Sequence, residues 1–127
     1  GYGDAGAGRG VDGFALAIDG AGRVRFDTAL GDSGDDRAVH GLAFADGSSA
    51  VVGCARARGA AADEPSWTTT VYGLDAQGRR TWTRALGGHG RDSGRWIAGT
   101  RDDLWVVGQE AAADGGSRVF VARLDVR

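Results

Sequence analysis

Large side chains alternate with small ones in three stretches of the chain, and this alternation predicts β-strands. A period of two places every second side chain on one face, as in a strand with one buried face. The three stretches hold equivalent places in three copies of one pattern. Their alternating residues are Phe14, Leu16 and Ile18, then Thr70, Tyr72 and Leu74, then Phe120, Ala122 and Leu124.

An aspartate ends each of these predicted strands. Asp19, Asp75 and Asp125 are separated by 56 and 50 residues, a period that indicates a repeat architecture. Short Gly-containing turns follow the first two aspartates, and return strands are predicted over 23–30 and 79–86. The recurrence of the aspartates favours a structural role, in which each carboxylate accepts backbone N–H bonds in its turn.

A second hairpin completes each unit. Asp46-Gly47 between apolar runs is a strong hairpin signal. It leads into Ala50-Val51-Val52-Gly53, which Trp105-Val106-Val107-Gly108 repeats. Four short strands in up-and-down order are typical of a β-propeller blade. The predicted fold is all-β, with propeller-like repeats of four-stranded antiparallel blades, about two blades plus a partial one, in an incomplete ring.

The repeat also predicts the domain organisation. Residues 1–12 read as a loop or linker, and 13–127 as one repeat segment with copies starting near 13, 67 and 117. One whole blade is expected over about 38–87, with an outer half-blade before it and three strands after it. Since propellers need about four to eight blades, two hypotheses stand: a piece of a longer propeller, or a short chain whose copies assemble into a ring.

Composition agrees with strands and turns. The chain has 15 Asp but two Glu, no Lys and 24 Gly, whereas helices favour Glu and Lys. A net charge of −2 gives no case for nucleic acid, and no apolar run is long enough to predict a transmembrane helix. The single cysteine, Cys54, is expected to be a small buried strand residue.

The motif that runs from Leu74-Asp75 through Gly78 and Trp82 to the Gly-Gly-x-Gly-x-Asp turn at 87–92 resembles the bacterial delta-60-like propeller repeat of cell-envelope and secreted proteins. Its Leu-Asp-x-x-Gly-x-x-x-Trp element is also similar to quinoprotein-like repeats. The resemblance covers about 110 residues. The first copy departs from it with Phe26 in place of Trp and Asp32 in place of the second Gly, and the second copy has Asp102-Asp103 in place of Asp-Gly.

The resemblance implies a non-catalytic module of the bacterial cell envelope or extracellular space. It would serve as a scaffold or as a recognition surface for a protein or a glycan, without a cofactor. Two alternatives remain open: part of a larger quinoprotein-like enzyme whose active site lies elsewhere, or a short glycan-binding lectin that assembles into a ring. The expected partners are a protein, a glycan, further blades or a second copy of the chain.

Aromatic residues supply the candidate ligand-binding positions. Trp67, Trp96 and Arg95 are the candidates, because Trp and Arg are enriched at binding surfaces and neither Trp has an aromatic counterpart in another copy. Trp82 matches Phe26 and is expected to pack between blades. Trp105, inside an apolar strand, is expected to fill the core.

Acidic residues supply a weak metal candidate. Asp32, Asp35 and Asp36 lie in one loop, and calcium prefers several oxygen ligands from such a loop. The second copy replaces two of them with Gly and Arg, so a solvated turn is the preferred interpretation. No nucleophile-elbow or zinc-ligand spacing surrounds the two histidines, and we predict no catalytic residue.

Overall fold

The computed structural model describes residues 2–4, 11–31, 34–56, 67–87 and 91–126. These residues form β-strands joined by turns, and none of them forms a helix that could cross a membrane. The strands are β1 (Tyr2–Asp4), β2 (Val11–Ile18), β3 (Val24–Ala29), β4 (Asp35–Ala43), β5 (Ser49–Arg56), β6 (Trp67–Leu74), β7 (Arg80–Leu86), β8 (Ser93–Thr100), β9 (Asp103–Ala111) and β10 (Ser117–Asp125).

The strands form three antiparallel sheets, which we call the first, second and third blades. Their orders are β1-β2-β3, β4-β5-β6-β7 and β8-β9-β10. The second blade is the predicted four-stranded unit, and neighbouring strands in it follow one another in sequence. The predicted all-β, propeller-like fold is confirmed, and the three described sheets do not close into a ring.

Each blade turns one face toward the blade before it, its front face, and the other toward the blade after it, its back face. One apolar core joins the first and second blades and a second core joins the second and third. The former contains Phe26, Leu30, Ala38, Val51, Tyr72 and Leu74. The latter contains Ala50, Val52, Val71, Trp82, Leu86, Ile97, Leu104, Val106, Phe120 and Leu124.

The alternation in the sequence decides which side chain enters which core. On β6, Tyr72 and Leu74 point to the front and are almost fully buried, while Val71 points to the back and is fully buried. Burying one such apolar side chain stabilises the fold by about 1.5–3 kcal/mol. Trp82 packs into the second core, as Phe26 does into the first, so the predicted packing of this pair between blades is confirmed.

The aspartate turns also form as predicted. Asp75 Oδ1 accepts bonds from the backbone N–H groups of Gln77 and Arg79, each 2.9 Å long. Asp19 does the same one copy earlier, with Ala21 and Arg23. Gly22 and Gly78 close these turns at φ values of 83° and 80°, a conformation that disfavours a side chain. The carboxylates of Asp19 and Asp75 are therefore structural.

One short strand lies where the sequence predicts a loop. Tyr2–Asp4 pairs antiparallel with residues 11–13 of β2. Val11 also donates its backbone N–H to Asp35 Oδ1 at 3.0 Å, which ties the start of β2 to the second blade. The composition of residues 1–12 gave no alternation from which this pairing could be predicted.

Close approach between the second and third blades requires a residue without a side chain at Gly94. A Cβ there would overlap a methyl group of Val52 and lie 3.0 Å from the carbonyl oxygen of Gly53. We expect Gly94→Ala to destabilise the chain by about 1–3 kcal/mol, because overpacking forces the blades apart. Urea denaturation measures this change.

Gly20→Ala is the matched control, because nothing lies within 4 Å of a Cβ at that position. Equal stability of the two variants would contradict the close inter-blade packing described above.

Candidate functional site

The first strands of the second and third blades, β4 and β8, share an irregularity. In β4 the register passes from Ala38 to His40, and in β8 from Gly94 to Trp96. Val39 and Arg95 are the extra residues of two β-bulges, at equivalent places of the repeat. A bulge re-aims the side chains beside it. Arg95 is exposed here, and the next residue in each strand is aromatic.

Those two aromatic residues meet. The rings of His40 and Trp96 are stacked, with centroids 3.9 Å apart and planes 25° apart. The backbone N–H of Ile97 donates to His40 Nδ1 at 3.4 Å, which fixes the imidazole. Trp96 is nevertheless 56% exposed. One face of the indole is therefore held in place while the rest of the ring remains accessible to solvent.

Arg95 precedes Trp96 on β8 and has its own polar contact. Its Nη2 donates to Gln109 Oε1 at 3.4 Å. We call His40, Arg95, Trp96 and Gln109 the inner-strand strip. The aromatic surface with neighbouring donors and an acceptor is suited to binding and contains no nucleophile or paired acid and base.

A groove of about 550 Å³ opens beside the strip, between β2 and β4. Residues 38–44 line one side, His40 among them, and residues 14–18 line the other. The lining is mostly apolar, and ligand sites are commonly concave and apolar with a few polar groups. The strip therefore borders a concave surface.

Trp67 makes a separate pair with Arg37, whose guanidinium carbon lies 4.6 Å from the ring centroid. Trp67 is half-buried at the start of β6, and its carbonyl accepts the backbone N–H of Asp92 at 3.0 Å. The structure brings Trp96 against His40, and Arg95 bonds to Gln109. The contacts of Trp67 are with Arg37 and the start of the third blade. Residues 57–66, in the variable loop before it, lie outside the described residues.

The candidate calcium ligands have other roles where they can be seen. Asp36 is buried and accepts a 2.7 Å hydrogen bond from the Tyr72 hydroxyl, while Asp35 accepts the Val11 N–H described above. Asp32 lies outside the described residues. Within the parts of the chain that the structure describes, no three His, Cys, Asp or Glu side chains are grouped to hold a metal ion.

Cys54 is a buried strand residue, as the sequence predicts. Burial raises the pKa of its thiol, and this effect outweighs a hydrogen bond with Ser93 and the nearby guanidinium groups of Arg37 and Arg95, which act in the opposite direction. The thiolate is the reactive form of cysteine, so the environment of Cys54 disfavours reactivity.

The prediction for Trp105 is wrong. Its side chain is 45% exposed, while Leu104 and Val106 on either side are fully buried. Trp105 points to the back face of the third blade, which no described sheet covers, and Arg123 lies 5.8 Å from its ring centroid. The alternation along β9 predicts this exposure, because successive side chains on a strand point to opposite faces and only one of the two can face a given core.

The sequence reasoning also missed His40 as a partner of Trp96. Their separation of 56 residues is the repeat period, so the two occupy equivalent places on adjacent blades. That equivalence was the available signal.

No protein-family model matches this sequence, and no curated protein matches it.

Acid should weaken the aspartate turns. Backbone N–H bonds, from Arg79 to Asp75 and from Arg23 to Asp19, are the main cause that lowers the pKa of each carboxyl below 3.8. A lowered folded-state pKa stabilises the fold above the unfolded-state pKa, and this stabilisation disappears as the pH falls through the folded-state pKa. We therefore expect the urea midpoint to decline below about pH 4.

The double variant Asp19→Asn/Asp75→Asn should be less stable at pH 6 and show a shallower decline in acid. Asn retains an oxygen that accepts the turn hydrogen bonds but carries no charge. Asp27→Asn, on an exposed carboxylate of β3, is the control. An acid decline as steep in the double variant as in the wild-type chain would refute the assignment.

Cys54 should react slowly in the folded chain. At pH 8 we expect an aromatic disulfide reagent to modify it more than roughly tenfold faster in concentrated urea than in buffer, because unfolding removes its burial. Ala21→Cys, in an exposed turn, should add one thiol that reacts at once. Equally fast reaction of Cys54 in buffer would show that its side chain is accessible.

Proposed function

We propose that this chain is a non-catalytic, propeller-like recognition module that binds a protein or a glycan at the inner-strand strip. The single observation that carries the proposal is the exposed Trp96, stacked on His40, which lines a concave groove. The sequence resemblance to delta-60-like repeats supports a place in the bacterial cell envelope or extracellular space.

The arrangement of the strip favours binding because the Trp96 side chain is already partly ordered, which lowers the entropic cost of binding a ligand. The stack with His40 restricts the indole before any ligand arrives, and ordering a flexible side chain costs about 0.5–1.5 kcal/mol. A flat indole offers a large apolar surface to a sugar ring or to an apolar side chain of a protein. The neighbouring guanidinium and amide can supply directional hydrogen bonds.

Two other polar residues near the strip have structural roles. Asp36 is bonded to Tyr72, and Cys54 has a raised pKa. The geometry thus favours recognition over reaction at this surface.

Binding should depend on Trp96. We expect Trp96→Ala to weaken ligand binding by about 2 kcal/mol or more, roughly 30-fold in Kd, as for a central aromatic at an interface. The measurement is binding of the labelled chain to a panel of immobilised bacterial polysaccharides and oligosaccharides, followed by titration of the strongest binder. Arg95→Ala should reduce binding by a smaller factor.

Arg101→Ala is the matched control for Arg95→Ala, since Arg101 is an exposed arginine paired with Asp46 at 3.1 Å. It should leave binding unchanged. Binding that survives Trp96→Ala would place recognition elsewhere. If no glycan binds, the same variants are tested against proteins of the cell envelope by cross-linking from a photoreactive residue at position 109, and cross-links that persist in Trp96→Ala would reject the strip for proteins too.

A further inference from the structure

His40 accepts a backbone hydrogen bond across the interface between the second and third blades. The N–H of Ile97 donates to its Nδ1 at 3.4 Å. An imidazole nitrogen accepts a hydrogen bond only when it carries no proton, and the proton of a neutral ring then lies on the other nitrogen. This contact therefore requires His40 to be neutral, with its proton on Nε2.

The same ring supports the exposed indole. The centroids of His40 and Trp96 are 3.9 Å apart, and the two planes differ by 25°. Ile97 follows Trp96 on β8, so the imidazole contacts two successive residues, one through its Nδ1 and the other through its face. A change in the orientation of the imidazole therefore changes the support of the indole.

Protonation of His40 is incompatible with this pair of contacts. A protonated imidazole has two donors and no acceptor, so its Nδ1–H would face the N–H of Ile97. The positive ring would still be attracted to the indole face of Trp96, but it would have to turn away from Ile97 to separate the two donors. The observed arrangement thus belongs to the neutral form of the ring.

The charged and titratable residues on the strands around His40 do not bond to it. Strands β1, β2, β5 and β8 pack against or pair with β4. Together with β4 itself, and with β3 at the groove that His40 also lines, they carry Tyr2, Asp4, Asp12, Arg25, Asp35, Asp36, Arg37, Cys54, Arg56 and Arg95. No described side chain of this set forms a hydrogen bond or an ion pair with His40. Ile97 and Trp96 are therefore the contacts that respond to its protonation.

We propose that His40 is a positioning residue that holds Trp96 for a ligand only while its ring is neutral, so that acid releases the ligand from the inner-strand strip. The inference rests on the proposed function of the strip and adds a regulation to that site. Histidine is the side chain whose ordinary titration lies between about pH 5 and 8. Binding that requires the loss of one proton weakens by at most about tenfold per pH unit.

The first test observes the imidazole directly and needs no ligand. Long-range ¹H–¹⁵N correlation spectra of the ¹⁵N-labelled chain at pH 8 should show the His40 ring with its proton on Nε2. The signals of the other histidine, His89, are identified by their loss in His89→Gln. A His40 ring with its proton on Nδ1 at pH 8 would overturn the proposal, because that nitrogen could not accept from Ile97.

The second test follows the indole during acidification, again without a ligand. Between pH 8 and 5 the indole N–H signal of Trp96, assigned by its loss in Trp96→Phe, should shift with the same midpoint as the His40 ring signals. The shift should disappear in His40→Asn, because an amide keeps an acceptor oxygen and does not titrate. His89→Gln is the matched control and should leave the Trp96 titration unchanged.

Two results of this titration would overturn the proposal. One is a Trp96 signal that stays constant while the His40 ring takes up its proton. The other is a Trp96 signal that titrates equally in His40→Asn. Circular dichroism checks that His40→Asn is folded, and the wild-type spectra decide the first of these results without any substitution of His40.

The third test measures the ligand, for which the probe is the glycan of the panel above that binds most strongly. Its Kd for the wild-type chain should rise more than roughly threefold between pH 7.5 and 5.5, with about a hundredfold as the limit for one proton. His40→Asn should bind more weakly at pH 7.5 but with a similar Kd at both pH values. An equal Kd for the wild-type chain at both pH values would overturn the proposal.

The spectra separate failure of this proposal from failure of the proposed function. Binding that depends on Trp96 but not on pH keeps the strip as a ligand site and rejects its regulation by His40. Absence of any ligand at the strip rejects the proposed function and the release of a ligand with it, even where the spectra show that the position of the indole depends on the proton.

Discussion

Packing of one sheet's back face against the next sheet's front face is the interaction on which the rest of this structure depends. A single antiparallel sheet has two faces and cannot bury either of them alone. In the second blade both faces are buried, because a neighbour lies on each side. The His40–Trp96 pair takes its position from that stacking, because the two rings belong to different blades.

Apart from β1, the sequence was sufficient to predict the strands and their order, because each of these strands is a local pattern. The period of two on β6 and the Asp-x-x-Gly turn at Asp75 both depend on residues close together in the chain. The four-stranded second blade follows from four such patterns joined by short turns. The third sheet has the three strands expected for it, whereas the first sheet holds β1 in addition to the two strands of the predicted half-blade.

The site was harder to predict because its contacts lie between blades. His40 meets Trp96 across 56 residues, and no local pattern reveals which aromatic ring lies beside another. Trp105 shows the opposite problem: its apolar neighbours suggested burial, but exposure depends on whether a sheet covers that face. To predict either feature, one must know which blade faces which. Comparison of the repeats gives that order only after the interfaces between blades are known.

At the bulge on the first strand of a blade, the choice of side chain is separated from the pairing of the strands, although the two usually constrain each other in a β-sheet. The residue at the bulge lies outside the regular ladder, so its identity is not dictated by a cross-strand partner. The chain holds valine at this place in one blade and arginine in the next while both sheets keep the same topology. Duplication of such a unit therefore yields one equivalent position in each blade, where the side chain can change, by evolution or by protein engineering, without altering the fold.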